Sequence, residues 1–532
     1  MSTIKIPYSK TGYFSNTMCD YLEENPSLHP FYGRFPSIES LKQQVVEKQK
    51  SFSQVSRNTL VTQLKQQYKD IAVSEATQKN ITALAKDTAF TITTGHQLNL
   101  FSGPLYYVYK ILSIINLTEE LALASPEYTF VPVFWMATED HDLEEINFFN
   151  FKDKKIHWDG PKGGPVGRIS TQSTQELVAV LEKEFGQTTD GLYLIDLFKK
   201  AYTQHDNLAQ ATRFITNELF SSYGVVVIDG DDYVLKKQFA PYVEQELFHK
   251  TGFQEITKSS QKLVAAGYAQ QVNPREINVF YIKDGLRERI IEKDGQFFVN
   301  NTEIVFTETK IKQALENHPE QFSPNALLRP LYQEVILPNL CYVGGGGEIA
   351  YWFQLKAFFS AVSVPFPVLL LRNSAVLVSK KVEEKLKKLD VSLEDIFKNE
   401  DDLSVWFTHK ISEITIDFSS QRIYLKKQFK SLYIQAKQTD ASFLGAVAAQ
   451  EKKQLNGLNN LEKRLLKAQK RKHNNQIDRL IALRAMIFPN GNLQERNANF
   501  SEFYLEYGPA LISTIKDKLQ PLGTDFTVIS LP

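Results

Sequence analysis

One stretch, residues 90–145, constrains the fold more than any other part of the chain. Residues 90–94 are aromatic or β-branched and run into Gly95, which predicts a buried strand followed by a tight turn. Pro104 stands where a helix can begin, and apolar residues recur behind it at helical spacing. A second apolar run, residues 130–137, predicts another strand. Strand, helix and strand in this order predict a right-handed crossover in a parallel sheet.

Polar residues follow both predicted strands. Because open α/β sheets bind ligands at the carboxyl ends of their strands, we expect one pocket there, lined by Thr94, Gly95, His96 and Gln97 after the first strand and by Glu139, Asp140, His141 and Asp142 after the second. The run Thr93-Thr94-Gly95-His96 also fits the T/H-x-G-H pattern of nucleotidyltransferases and class I aminoacyl-tRNA synthetases, in which the histidine contacts nucleotide phosphate. The alternative is a turn glycine beside a polar surface histidine.

Four of these residues are the catalytic candidates: His96, Asp140, His141 and Asp142. A carboxylate beside an imidazole can take a proton from an attacking group. The alternative for the acidic cluster is a helix N-terminal cap. Ser102 and Gly103, which precede the predicted helix, are candidates for ligand binding.

Length and charge narrow the class of protein. A chain of 532 residues predicts two or three domains. Lysine plus arginine and aspartate plus glutamate both number 61, so we expect no nucleic-acid or anionic-membrane partner. No apolar run of about 18 residues predicts a membrane span, and the first residues lack the apolar core of a signal peptide. Cys19 and Cys341 fit a reducing cytoplasm and exclude a cysteine-based zinc site, so we expect a cytoplasmic location and no metal.

The remaining core elements come from shorter patterns. Residues 1–85 predict a mostly helical cover, and two insertions are expected at about 150–222 and 260–310, within a core of residues 1–375. Residues 224–230 predict a parallel strand that ends in an acidic turn with Asp229, Asp231 and Asp232. We interpret this segment as an acidic turn, and a metal site is the less favoured alternative.

A glycine-rich segment supplies further binding candidates. Gly344, Gly345, Gly346 and Gly347, followed by Glu348, would leave backbone N–H groups free at a helix start, an arrangement that suits anions. No Lys-Ser/Thr follows, so this is no P-loop, and a flexible turn is the alternative. Arginine presents a planar fork to carboxylates and phosphates. The arginine candidates are Arg329, which precedes the glycines, and Arg372, which follows a last predicted strand at residues 367–371. Asn373 and Ser374, next to Arg372, are further binding candidates.

The composition changes after residue 375. Residues 376–487 predict an α-helical coiled-coil domain, because long proline-free segments at 378–397 and 443–486 carry apolar residues three or four apart. Such helices cannot bury their apolar stripe alone, so we predict a homodimer, with an intramolecular helical hairpin as the alternative. Residues 463–473 form a basic run. We interpret it as a solvated helix face rather than a nucleic-acid patch, because the chain as a whole is neutral. Residues 488–532 are expected to pack back on the core.

Several segments together resemble one family, the cysteine-adding enzymes of bacillithiol biosynthesis. The matching pieces are TTGHQLNLFSGPLYYVYK, VPVFWMATEDHDLEEIN, FSPNALLRPLYQE, YVGGGGEIAYW and IFPNGNLQER, in the family's order. This chain has His96 where family members often carry glutamine. The resemblance implies an α/β fold, with a Rossmann-like parallel-sheet core similar to class I synthetases, inserted connecting subdomains, and a C-terminal coiled coil that pairs two subunits.

The resemblance also implies a reaction. A cysteine ligase of this family joins the carboxyl of L-cysteine to the amine of glucosaminyl-malate, forming an amide. A free carboxylate is a poor electrophile, so we expect activation by ATP or another adenine nucleotide, although no KMSKS-type loop is present. Two alternatives remain: a nucleotide-binding coiled-coil dimer with a scaffold or sensor role, and a nucleotidyltransferase that acts on another acceptor.

Overall fold

The computed structural model describes residues 3–152, 154–161 and 163–532. Residues 153 and 162, which fall in the first expected insertion, lie outside the described residues. The core is a five-stranded sheet whose neighbouring strands all run parallel. In spatial order its strands are Val368–Leu371, Asn339–Gly344, Ala89–His96, Thr129–Met136 and Val226–Asp229. The predicted Rossmann-like parallel core is therefore confirmed.

The strand order creates a switch point at the centre of this sheet. From Ala89–His96 the chain adds Thr129–Met136 on one side, through the crossover helix Tyr106–Ala124, and it adds Asn339–Gly344 later on the other side. All residues of Ala89–His96 are buried, as expected for the central strand of a parallel sheet. Ligand sites in such folds lie at the carboxyl ends of the strands that flank the switch point.

Helices cover the core sheet. The first part of the chain supplies Tyr8–Thr11, Asn16–Leu22, Ile38–Ser51, Gln54–Gln67 and Glu75–Ala83. The later core helices are Tyr233–His249, Thr251–Ala265, Arg329–Ile336, Gly346–Trp352 and Lys356–Ala361. Residues 3–85 are mostly helical, as the sequence predicts, and Thr3–Pro7 adds one strand that the sequence does not predict. It pairs with Asp525–Leu531, which also pairs with Ala375–Ser379, so a small second sheet joins the two ends of the chain.

Two insertions extend from the core. The first contains the antiparallel hairpin Phe148–Phe151 and Lys154–His157 and the helices Gln175–Phe185, Thr189–Thr203 and Leu208–Phe220. The second is an antiparallel five-stranded sheet in the order Val305–Thr307, Gln296–Val299, Leu286–Lys293, Val279–Lys283 and Phe322–Pro324, with the helix Glu308–Asn317. Gly285 and Gly295 have positive φ in its tight turns, where the sequence predicts hairpins.

The C-terminal part is mostly helical. Its helices are Lys380–Lys388, Glu400–Ile411, Ser419–Ala436, Ala441–Lys472, Asn474–Ile487, Gln494–Asn497, Phe500–Tyr507 and Ala510–Lys518. Ser419–Ala436 and Ala441–Lys472 pack together around Phe429, Ala436 and Val447. Within the described ranges, no helix is both long and apolar enough to cross a membrane.

Candidate active site

A cavity of about 940 Å³ lies at the carboxyl ends of the central strands, at the switch point. We call it the main cavity. Of the sequence-predicted residues, it brings together Gly95, His96, Gln97, Glu139, Asp140, His141, Arg329, Gly345, Gly346, Gly347, Glu348 and Arg372. Gly95 and His96 are the last two residues of the strand Ala89–His96, so the tight turn predicted at Gly95 is wrong and the strand is longer than expected. The end of this strand, the acidic cluster and the glycine-rich segment share one site.

Lys110 connects two of these segments, although the sequence analysis did not select it. It projects from the helix Tyr106–Ala124 and is buried. Its Nζ donates to the carbonyl oxygen of Gly95 at 2.5 Å and lies 2.6 Å from Oε2 of Glu348. A lysine among the apolar residues of the first turns of this helix was a usable signal, since such a charge is buried only when it is paired.

Glu348 organises the glycine-rich segment. Its Oε2 accepts from the N–H of Gly345 at 2.8 Å, and Tyr342 donates to its Oε1 at 2.7 Å. Burial opposes ionisation, but the charge of Lys110 and these hydrogen bonds outweigh it and lower the pKa of Glu348 to about 2. The N–H of Gly345, expected to face a ligand anion, is thus taken by the protein's own carboxylate.

Arginines line much of the main cavity. Nη1 of Arg329, Nε of Arg372 and Nε of Arg287 are shielded from solvent and have no hydrogen-bond partner in the described part of the chain. Nη2 of Arg372 forms an ion pair with Oε1 of Glu495 at 2.7 Å. Arg275 and Arg289 line the same cavity. Buried donors without partners are rare in folded proteins, so these arginines indicate a site for anionic groups.

The acidic cluster divides into two environments. Glu139 is 8% exposed, and Nζ of Lys236 lies 2.7 Å from its Oε1. Burial raises the pKa of Glu139, and the charge of Lys236 only partly offsets this. For Asp140, burial is outweighed by hydrogen bonds from His141 and Gln97 and by the charge of Arg287, so its pKa is lowered. Glu139 is therefore the stronger base of the two.

His141 is half-exposed and contacts the second insertion. Its Nδ1 lies 2.6 Å from Nη1 of Arg287. A guanidinium group can only donate, so Nδ1 accepts this hydrogen bond. Nδ1 of His141 is thus engaged by the protein rather than facing a substrate.

His96 lines the main cavity as a neutral imidazole. It is 7% exposed, and its Nε2 has no hydrogen-bond partner among the described residues. Burial, and then the charge of Lys110, lower the pKa of His96 to about 3. At neutral pH the ring is thus able to form hydrogen bonds to a ligand but is a weak base.

The other predicted site residues do not line the main cavity. Asp142 caps the helix Leu143–Ile146 by accepting from the N–H groups of Glu144 and Glu145. The other residues are buried in the supporting structure. Thr94 donates to the carbonyl of Val343, and Ser102 and Gly103 lie in a turn with positive φ. Gly344 ends a strand, and the backbone N–H groups of Asn373 and Ser374 donate to Ser113 and Tyr8, respectively.

The acidic turn after Val226–Asp229 is also committed to protein contacts. Asp229 accepts from Thr138, Asp231 pairs with Arg168 and Lys236, and Asp232 caps the helix Tyr233–His249. These partners explain the acidic turn without a metal ion.

The fold and the cavity define a Rossmann-like α/β protein with an arginine-rich ligand site at its switch point and a helical C-terminal domain. Comparison with known proteins gives the family. The description "Bacillithiol biosynthesis BshC, N-terminal Rossmann-like domain" matches residues 1–373, and "Bacillithiol biosynthesis BshC, C-terminal coiled-coil domain" matches residues 375–531. The chain belongs to the bacillithiol biosynthesis BshC family.

Relatives of similar length support this assignment. A protein of Flavobacterium johnsoniae is 52% identical over 531 residues, covering 100% of both chains. Proteins of Flavobacterium psychrophilum, 52% identical over 99% of both chains, and of Christiangramia forsetii, 50% identical over 100% of this chain and 99% of the relative, are also similar. All three carry the description "Putative cysteine ligase BshC". The chain is thus a ligase of this family.

Proposed function

We propose that this ligase joins the carboxyl group of L-cysteine to the amine of glucosaminyl-malate, after nucleotide-dependent activation of the carboxyl group. The name of the relatives supplies cysteine, and the description of the family supplies bacillithiol biosynthesis. One observation supports the proposal for this chain: the main cavity is lined by arginine donors that have no hydrogen-bond partner among the described residues and by Glu139, a buried carboxylate of raised pKa.

The arginines suit the anionic groups of the proposed substrates. Malate carries carboxylates, and a nucleotide carries phosphates, both of which match the planar guanidinium fork. A Cβ on Gly95 would lie 3.8 Å from Nη1 of Arg329, and a Cβ on Gly345 would lie 3.8 Å from Nε of Arg372. Both glycines therefore adjoin these nitrogens in the lining of the main cavity, and Arg329 and Arg372 are the residues that would hold a phosphate.

Glu139 is suited to the proton transfer. The acceptor amine must lose a proton as it attacks, and a base is most effective when its pKa lies near the working pH. When bound, a nucleotide supplies the phosphate that turns one carboxylate oxygen into a leaving group. The chain then has to align the amine with the carbonyl carbon, stabilise negative charge on oxygen through its arginines, and accept the amine proton at Glu139.

A direct assay tests the proposal. The pure protein is incubated with glucosaminyl-malate, L-cysteine and ATP, and the thiol product is sought by mass spectrometry. We expect an amide-linked product only when all of these are present. Product without a nucleotide would contradict the activation step, and no product with any common nucleoside triphosphate would contradict the reaction.

A further inference from the structure

A second cavity, of about 480 Å³, adjoins the main cavity. The two share Gln97, Tyr106 and Arg496 as lining residues. The walls that belong to the second cavity alone include the side chains of Asn99, Glu145, Phe148 and Phe149. Its volume lies within the range of small-molecule sites, and its contents would face the main cavity across the shared residues.

Two amide side chains of the second cavity's lining residues are held by hydrogen bonds within the protein. Nε2 of Gln97 donates to Oδ2 of Asp140 at 2.5 Å, and Nδ2 of Asn99 donates to the carbonyl of Glu145 at 3.2 Å. Both amide groups are thereby oriented, and Oε1 of Gln97 and Oδ1 of Asn99 are left shielded and without a partner in the described ranges. Buried acceptors without partners are rare in folded proteins, so these two residues favour a ligand that donates hydrogen bonds.

Glu145 adds negative charge to the lining of the second cavity. Glu145 is an exposed residue whose carboxylate forms no ion pair with any described residue. Partial desolvation and the neighbouring charges of Asp142 and Asp140 raise its pKa. A cation beside Glu145 would relieve this repulsion.

Arg496 supplies the opposite charge at the junction. It lines both cavities, and its guanidinium makes no ion pair with a described residue. The second cavity is therefore lined by a carboxylate, Glu145, and by a guanidinium group, Arg496, that also lines the main cavity, while Phe148 and Phe149 add apolar surface.

We propose that the second cavity binds a small zwitterionic α-amino acid, with the ammonium group at Glu145, Asn99 and Gln97 and the carboxylate at Arg496. This orientation points the carboxyl carbon at the main cavity, where the acceptor amine has to arrive. The short side chain then lies against Phe148 and Phe149, which suits a thiol better than a charged group. Identification of this amino acid as L-cysteine rests on the proposed function.

Calorimetric titration with L-cysteine tests the site without requiring turnover. We expect Glu145→Gln and Arg496→Gln each to weaken cysteine binding about tenfold to a hundredfold, because each removes a charged hydrogen-bond partner. Glu127→Gln, an exposed carboxylate that lines neither cavity, is the matched control and keeps wild-type affinity.

Two truncated ligands assign the ends of the molecule. Cysteamine lacks the carboxylate, so its binding is expected to respond to Glu145→Gln but not to Arg496→Gln. The thiol 3-mercaptopropionate lacks the ammonium group, so the opposite pattern is expected.

The outcomes separate this site from the proposed reaction. Wild-type cysteine binding and product formation, with both variants binding cysteine as tightly as wild type, would overturn the site and leave the reaction standing. Amino-acid binding that both variants weaken, without any product in the assay, would support the site and contradict the reaction. Failure of the wild-type protein to bind any small amino acid, with or without a nucleotide, would overturn the site.

Discussion

At the scale of single residues, Glu139 and Asp140 are neighbours in the chain, yet their carboxyl groups have opposite pKa shifts. Burial raises the pKa of Glu139, whereas hydrogen bonds and Arg287 overcome burial and lower that of Asp140. Glu139→Gln is therefore expected to reduce kcat about 10²–10⁴-fold, the usual contribution of a general base. It should also remove the acidic limb of the pH–rate profile. Steady-state kinetics with saturating substrates, repeated across pH, measures both effects.

Asp142→Asn provides the matched control for this prediction. Asp142 belongs to the same acidic cluster but caps a helix outside the main cavity. Its loss is expected to leave kcat within a few-fold of wild type and to cost about 1 kcal/mol of stability. If Glu139→Gln retains wild-type kcat and an unchanged pH profile, another group takes the proton.

His96 makes a distinct contribution to the pH dependence of stability. Its pKa is about 3 in the folded chain, against about 6.5 for an exposed histidine. Between these values the unfolded chain binds the extra proton, so stability falls as pH decreases from about 6.5 to 3, by up to about 1.4 kcal/mol per unit.

The variant His96→Gln removes this titration. We expect its melting temperature to decrease less than that of wild type between pH 7 and pH 4, as measured by thermal unfolding. His318→Gln, at an exposed histidine, should follow the wild-type curve. Parallel curves for wild type and His96→Gln would show that the buried ring does not resist protonation.

At the scale of secondary-structure elements, the ion pair between Lys110 and Glu348 joins the crossover helix to the glycine-rich segment. Both groups are largely shielded, with side-chain exposures of 4% and 27%. Lys110→Met leaves the Glu348 carboxylate without its cation and is expected to destabilise the fold by about 3–5 kcal/mol. Denaturant unfolding measures this loss.

A double variant separates charge from packing. Adding Glu348→Gln to Lys110→Met removes the unpaired charge, so the combined variant should be more stable than Lys110→Met alone. If the two single changes simply add, the pair is not coupled and the link between helix and glycine segment is steric.

The elements that the sequence predicts well have strong local patterns. Residues 90–94, 130–137, 224–230 and 367–371 are apolar and β-rich, and each forms a strand close to these bounds. Asn339–Gly344 was not predicted, since this short strand is followed directly by glycines that favour a turn. The strand Thr3–Pro7 was also missed, because its partner lies at the other end of the chain.

At the scale of the whole molecule, the site combines residues that no local pattern connects. The shared position of residues 95–97, the acidic cluster and the glycine-rich segment could be predicted, because strand ends in a parallel sheet share one edge. Arg275, Arg287 and Arg289 could not, since they reach the main cavity only through the way the second insertion folds over the core. The second cavity depends on Arg496, a residue from the C-terminal domain that meets the core near Gln97.

The helical domain also has large apolar side chains that are exposed to solvent. Ser419–Ala436 and Ala441–Lys472 form an intramolecular pair, in which Arg422 binds Glu462 and Tyr433 donates to Glu451. Ile423 and Ile434 nevertheless remain 68% and 60% exposed. They lie eleven positions apart, so they share one helix face.

We therefore predict that a second copy of the chain packs on this face, within residues 378–487, to form a homodimer. Large exposed apolar residues on one helix face are typical of such interfaces. Light scattering at micromolar concentration should give the mass of two chains for the wild type and of one chain for the double variant Ile423→Glu, Ile434→Glu. Leu123→Glu, at an 86% exposed site on the crossover helix, should remain dimeric. A wild-type mass of one chain would mean that the hairpin is stable by itself, with its apolar face open to solvent.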